Sequence, residues 1–467
     1  MDMPANIRCR NCESLRREFA ILTAKVATLE AELAKAKKNS ANSSKPPSSD
    51  IIKPPRAGDR PGSKRKRGAQ AGHPRHERPP FAPEEINRPV EYHLSQCPDC
   101  GGKVTPQNIT PRVVQQVDLA DKLTEVSEHR RHACFCRRCQ KTYYAEIPAK
   151  VRRAGLVGPR LTAVVTYLKG GCHCSFSTIR KFCRDVIGVM VCRGQLRKVC
   201  AKVSDSLDGA YDELLAAVRE QPMLNVDETG HKEYKQRMWT WCFRANLFTL
   251  FKIDPSRSSD VLIEVLGEEF KGVLGCDYFS AYRKYMGDFN VLVQFCLAHL
   301  LRDIRFLTEH PDARNRAYGN RLLRAMRELF HVIHDRKKYS AKRFAIALQD
   351  AGDELEAQAL WPVPRTSEAQ NIKARFEKHG KSYLRFITTP SIEPTNNLVE
   401  QSLRFVVIDR LVTQGSRSPG GRRWLERIWS TMATCAQQGR SVFNFLVESV
   451  QSHFAGLTAP SLLPNTS

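Results

Sequence analysis

From Leu15 the apolar positions Leu15, Phe19, Leu22, Val26, Leu29 and Leu33 alternate spacings of four and three, the a/d seam of a coiled coil. This predicts an amphipathic helix within residues 1–38 that either self-associates or packs on its own domain, because about three heptads is the lower limit for the pattern. Apolar periodicity then disappears over residues 39–90, where SSKPPSSD, KPPRAGDRPGSKRKRG and GHPRHERPP read as a basic, disordered linker. It returns with period two in short runs such as VVQQVDL within 91–150. In LTAVVTYL, STIRKFCRDVIGV and QLRKVCAKV it has helical spacing, which predicts a small bundle of helix-turn-helix type over 151–215, with Ser175 or Ser177 capping its second helix.

Beyond it the pattern is α/β. Leu224–Asp227 is a short apolar run ending in a carboxylate, and Met238–Phe243 and Leu247–Ile253 read as two further strands joined at Ala245 and Asn246. Ser259–Glu269 reads as a helix, Gly272–Asp277 as a buried strand again ending in Asp, and Val291–Phe295 as a fifth strand. Helical patterns such as RLLRAMRELFHVIH and RFAIALQDAGDELEAQAL fill 300–386, which reads as an insertion dividing a catalytic domain of 216–299 and 387–455; residues 456–467 form a flexible tail.

A chain of 467 residues exceeds one hydrophobic core, and 41% apolar residues suffice for several domains. Lys and Arg number 74 against 49 Asp and Glu, a net charge of +25 that attracts a polyanion. No run of about 18 apolar residues, lipidation signal or signal peptide accompanies that charge, so double-stranded DNA, not a membrane, is the expected partner, and the expected location is the cytoplasm. Sixteen cysteines, many in apolar segments, fit reduced thiols better than a disulfide framework. Arg and Lys of SKRKRG, and Arg180, Lys181 and Arg184 in the bundle, either contact phosphates or are ordinary solvated charge.

Two clusters carry candidate chemistry. Cys97 and Cys100, with Cys136 and Cys139, form two CxxC pairs suited to a tetrahedral structural Zn²⁺ in a zinc ribbon, with Cys134 a competing ligand; the isolated Cys9 and Cys12 lack a second pair. Asp227 and Asp277, at the ends of what read as adjacent central strands, can converge on one point, where two carboxylates repel unless a divalent cation lies between them. Oxygen ligands suit Mg²⁺ or Mn²⁺, and a pair of such ions activates a nucleophile and stabilises the leaving oxygen of a phosphodiester. Glu400 is the leading third carboxylate, because Thr395 or Asn396 can cap a helix on which Asn397, Glu400 and Arg404 share a face; Glu393 is the runner-up.

The order of these motifs resembles the bacterial transposase family numbered sixty-six among insertion sequences, specifically its large catalytic subunit. The likeness runs through the zipper-like start, the SSKPPSSD linker, CPDCGG and CRRC, GPRLTAVVTYL, and the blocks VDETG, DYFSAY, CLAH and TNNLVEQSLR. It implies a ribonuclease H-like fold with a DDE triad of Asp227, Asp277 and Glu400, separated by 277 − 227 = 50 and 400 − 277 = 123 residues. It further implies cutting at element ends and joining of 3′ hydroxyls to target DNA, homo-oligomers held by the N-terminal coiled coil, small accessory proteins, and work on bacterial nucleoid DNA. Cys296 and His299 of CLAH resemble a Cys/Asp-x-x-His element in which His299 orients a phosphate or a metal ligand, or is a buried structural histidine. Gln401 departs from the family pattern, in which Arg commonly follows the glutamate. Two other readings stay open: a non-catalytic DNA-binding regulator or decayed copy, and a nuclease without strand transfer.

Overall fold

The computed structural model describes residues 10–39, 42, 79–96, 98–105, 111–120, 122–138 and 140–464, the side chains from residue 13 onward. Cys9, the Cys12 thiol, most of the linker, Cys97 and Cys139 lie outside the described residues. The chain divides into two compact units, 55–128 and the remainder.

Within the smaller unit, Gln96 and Lys103 form an antiparallel bridge around Cys100, and the Phe81 amide and carbonyl bond the Gln115 side chain at 2.7 and 3.1 Å. The larger unit opens with α1 (Arg10–Ala36), whose seam is exposed, from 64% at Leu15 to 53% at Leu33. Its end is anchored where Lys35 pairs with Glu368 at 3.0 Å and Lys38 lies over the Phe306 ring. A hairpin, β1 (Ala133–Cys136) and β2 (Lys141–Tyr144), places Cys136 at its turn.

Five short helices follow: α2 (Ala149–Ala154), α3 (Pro159–Gly170), α4 (Phe176–Phe182), α5 (Arg193–Ser206) and α6 (Asp208–Ala217). Ser175 caps α4 by accepting the Thr178 amide, so of the two expected serines the first is the cap.

The sheet consists of β3 (Met223–Glu233), β4 (Gln236–Arg244), β5 (Thr249–Asp254), β6 (Val273–Cys276) and β7 (Leu292–Phe295), ordered β5-β4-β3-β6-β7. The first three form an antiparallel meander and the last two run parallel to β3. The α7 (Ser259–Leu266) and α8 (Ser280–Phe289) helices complete this half. The next elements are α9 (Leu297–Thr308), α10 (Ala313–His334), α11 (Ala341–Leu360), α12 (Ser367–Tyr383), α13 (Arg385–Thr388), α14 (Asn397–Thr413), α15 (Pro419–Gln437) and α16 (Val442–Ala455). One buried cluster runs from Ala163 and Val203 through the sheet to Ile428 and Phe454, so α3 and α5 share a core with the C-terminal helices.

Two expectations need correction. The run at Leu224–Asp227 does not end at the carboxylate: β3 continues to Glu233, because the polar residues Glu228, His231 and Glu233 are buried against neighbours and pair with β4. The helix from Ser259 stops at Leu266, not Glu269, because Gly267 adopts φ +79° and reverses the chain.

Both sheet edges are covered. Alternate β5 amides donate to side chains spaced by four on α15: Thr249 to Thr434 Oγ1 at 3.1 Å, Phe251 to Ser430 Oγ at 2.9 Å and Ile253 to Glu426 Oε1 at 2.7 Å. At β7, Arg385 Nε donates to the Val293 carbonyl and Gln294 bonds the backbone of Tyr383 and Phe386. Unpaired strand edges are thereby converted into helix docking sites.

The close crossing of α9 and α10 depends on Gly319, where a Cβ would stand 2.7 Å from Leu307 Cβ and 2.8 Å from the Thr308 amide. Gly319→Ala is expected to lower unfolding free energy by about 1–3 kcal/mol, the cost of overpacking a fixed crossing. Urea denaturation measures it; an unchanged or raised midpoint would show that the two helices separate without cost.

Candidate active site

The β3–β6 pairing couples Asn225 to Gly275, so Asp227 and Asp277 each stand two positions past the last paired residue of parallel neighbours. Asp227 thus lies inside its strand in sequence but where the parallel pairing ends in space. Two residues before them Gly275 packs against its partner Asn225, where a Cβ would meet Asn225 Oδ1 at 2.3 Å. Each aspartate accepts a local backbone amide, Glu228 N on Asp227 and Phe279 N on Asp277, both at 2.9 Å.

The third carboxylate arrives through α14. Asn396 occupies the N-cap position, but its side chain makes no capping bond: Nδ2 donates to the Val226 carbonyl at 2.8 Å. The residue expected to cap the helix therefore ties the helix to β3, one residue before Asp227. The Asn396 amide donates to Cys296 Sγ and the Leu297 amide to the Pro394 carbonyl, which joins the starts of α9 and α14. Cys296 is thus a buried link between segments.

In the first turn of α14, Glu400 is half-buried and receives Arg302 Nη2 at 3.3 Å on both carboxylate oxygens. His299 Nε2 is 3.6 Å from Glu400 Oε1, within ion-pair range. Burial, then the neighbouring Arg302 charge, nevertheless pushes His299 down to about 4, so the imidazole is neutral at pH 7 and the contact is dipolar. Glu393, Asn397 and Arg404 are exposed.

Asp227 is raised well above the ordinary carboxylate range by burial first, then by the charges of Glu228 and Asp277, with Glu400 contributing. Asp277 is pushed up to about 7 by burial and by Glu228. Asp277 and Glu400 therefore both act on the buried Asp227, and Glu393 is not among the charges that do. Among the described residues no three His, Cys, Asp or Glu side chains already stand at common metal-ligand distance. The donor set, three hard oxygens carrying unfavourable mutual charge, fits Mg²⁺ or Mn²⁺.

Four residues at this site escaped the sequence. Glu228, with a side chain 1% exposed, takes Arg257 Nε at 2.8 Å and the Tyr282 hydroxyl. Arg257 in turn lies over the rings of Phe279 and Trp239 at 4.0 and 4.5 Å. Arg302 is the fourth, and its spacing of three from His299 on a helix was the available signal. Asp303 on the same helix is held by Arg375 at 2.7 Å.

Comparison with known proteins places this geometry in context. Residues 154–423 match the family model described as Transposase IS66 family, and residues 5–79 match a family of unknown function. Two Sinorhizobium fredii proteins are similar. Uncharacterized protein y4jD is 25% identical over 365 residues, 71% of this chain and 70% of its own length. Uncharacterized protein y4qI is 23% identical over 335 residues, 65% of this chain and 61% of its own length. The HTLV-2 integrase catalytic core domain in complex with magnesium aligns over 33% of this chain and 97% of its own, with 13% identity and a TM-score of 0.13, too low to carry an argument.

The raised carboxyl of Asp277 has a stability consequence. Between about 3.8 and about 7 the unfolded aspartate is ionised while the folded one keeps its proton, so metal-free protein loses stability as pH rises through that window, and the loss levels off above it. Asp277→Asn removes the penalty and is expected to stabilise metal-free protein above pH 7 by on the order of 2 kcal/mol. Thermal melts from pH 5 to 8 test this; a variant whose advantage does not grow with pH would show that the carboxylate carries no charge penalty.

Proposed function

Because the chain belongs to the Transposase IS66 family, we propose that it is a DDE transposase that cuts DNA at the ends of its element and joins the freed 3′ hydroxyls to target DNA. The observation that supports this reading is the burial of Asp227 and Asp277 beside each other, with the charge of Glu400 also acting on Asp227, a repulsion that divalent cations would relieve. Asp227, Asp277 and Glu400 would hold magnesium or manganese, which would supply activation of an attacking hydroxyl and offset charge on a leaving oxygen.

The protein's own residues set the stage for that chemistry. The two strands fix Asp227 and Asp277, and Asn396 fixes the start of α14, leaving Glu400 to be aimed by Arg302. Glu228, clamped by Arg257 and Tyr282, is occupied and serves as a positioning residue behind the aspartates. No covalent protein intermediate is called for: the nearby thiols of Cys276 and Cys296 are buried, the first raised well above its ordinary range and the second pushed up to about 11.

The remaining parts of the reading are proposals on narrower grounds. Cys97, Cys100, Cys136 and Cys139 hold a structural Zn²⁺ by their spacing alone. The exposed seam of α1 joins copies of the chain into an oligomer. Small accessory proteins of the same element and a place on the bacterial nucleoid follow from the family. No helix among the described residues is long and apolar enough to cross a membrane.

Purified protein with element-end DNA and Mg²⁺ is expected to give nicked ends and joined products. Asp277→Asn and Glu400→Gln should bind the ends while reducing joining to background, and Glu393→Gln should join normally. Joining by Asp277→Asn would remove the triad assignment, and nicks without joined products would favour a nuclease. Metal analysis is expected to find one zinc per chain, lost in Cys100→Ser; equal zinc in that variant would exclude the four-thiolate site.

A further inference from the structure

On the side of α14 away from Glu400 lies a cavity of about 480 Å³, between α3, the β4–β5 turn, α14 and α15. Its volume is in the range of small-molecule sites. Tyr167, Phe405 and Met432 supply apolar wall, and Arg244, Gln401 and Ser402 supply polar groups. Arg244 is the unusual member. It is half-buried, and its Nη1 donates only to hydroxyls, Ser402 Oγ at 3.1 Å and Thr249 Oγ1 at 3.3 Å. No carboxylate lies within ion-pair distance of it among the described residues, and burial lowers its pKa. A cation kept partly desolvated without a counter-charge is costly unless an anion comes to it.

The pocket's place on α14 connects it to the triad. Leu398, Gln401, Ser402 and Phe405 recur at spacings of three and four and form one helix face, while Glu400 points to the other. At 3.6 residues per turn, the arc between Glu400 and the pocket is occupied by Asn397, Arg404 and Gln401, all exposed. Crossing a helix of about 10 Å diameter takes at most about three nucleotide steps, since an unstacked strand advances farther per step than the ~3.4 Å rise of the duplex.

We propose that this cavity receives one unstacked nucleotide of the DNA strand, within about three steps of the phosphate that is cut, with its phosphate on Arg244 and its base against Tyr167 and Phe405. The proposal rests on the reading of the chain as a strand-cutting enzyme and adds a nucleotide subsite to it. Aromatic rings accept any base face, so the pocket holds the strand without reading its sequence. Asn397 and Arg404 line the strand's route from triad to pocket and are not metal ligands.

The test uses the full chain, Mg²⁺ and element-end duplexes carrying a single abasic residue at successive positions around the cut. Tyr167→Ala, at a side chain 41% exposed, is expected to slow cutting of intact DNA by about tenfold or more. On one abasic duplex within the first three positions wild type and variant should cut equally, since no base remains to stack. Arg244→Gln should reduce the salt dependence of binding by a slope of about 0.7, and Arg244→Lys should restore it. Normal cutting by Tyr167→Ala, or no position at which base removal equalises the two proteins, overturns the pocket. Loss of self-association without DNA in these variants also overturns it, making the cavity a contact between copies. Wild type that cuts no DNA fails at the earlier step, bringing down the strand-cutting reading itself.

Discussion

The structure depends on holding like charges together where water cannot separate them. Asp227 and Asp277 are buried beside Glu228, which raises both carboxyls well above their ordinary range, and Glu400 adds to the effect on Asp227. Burial and repulsion act in the same direction there, so the arrangement costs folding energy and must be imposed by its surroundings. The imposing elements are visible: parallel pairing that brings residues fifty apart into step, and an asparagine bond that ties the start of α14 to β3. Covered sheet edges at β5 and β7 lock the strands that bear the cost.

Around this core of negative charge stands an inner ring of arginines: Arg302 on Glu400, Arg257 on Glu228 and Arg375 on Asp303. They reconcile the site with the rest of a chain whose net charge is +25. Each arginine is stacked or bonded in place, which limits how far it can reach into the site. The positive surplus attracts a polyanion, whereas these arginines are taken up by carboxylates of the chain itself.

Sequence patterns revealed the meander, the second aspartate and the order of helices, because an aliphatic run too short for a helix and closed by Asp suits a buried strand. They failed where polar residues are buried. Glu228, His231 and Glu233 look like a turn, yet they extend β3 because Arg257, Ser416 and the β4 backbone satisfy them. Asn396 looks like a cap for the same reason: a one-dimensional pattern shows a side chain's local options but not a carbonyl one hundred and seventy residues away. Arg257 was illegible because arginine is common in a basic chain, and Arg302 had only its spacing from His299 to mark it; the fold distinguishes the arginines that face a carboxylate.

Glu393 and Glu400 are told apart by their surroundings. Motif and helix face favoured Glu400, but both residues flank the same turn. In the fold Glu393 is exposed, whereas Glu400 adds to the charge on Asp227 and is gripped through both oxygens by Arg302. That grip is long, 3.3 Å on each side, and its arginine is one-quarter exposed. A contact of that kind is worth little in stability, so Arg302 orients the Glu400 carboxylate without fixing it firmly. The difference between the two glutamates thus lies in what the fold places beside each, which neither the motif nor the helix face could show.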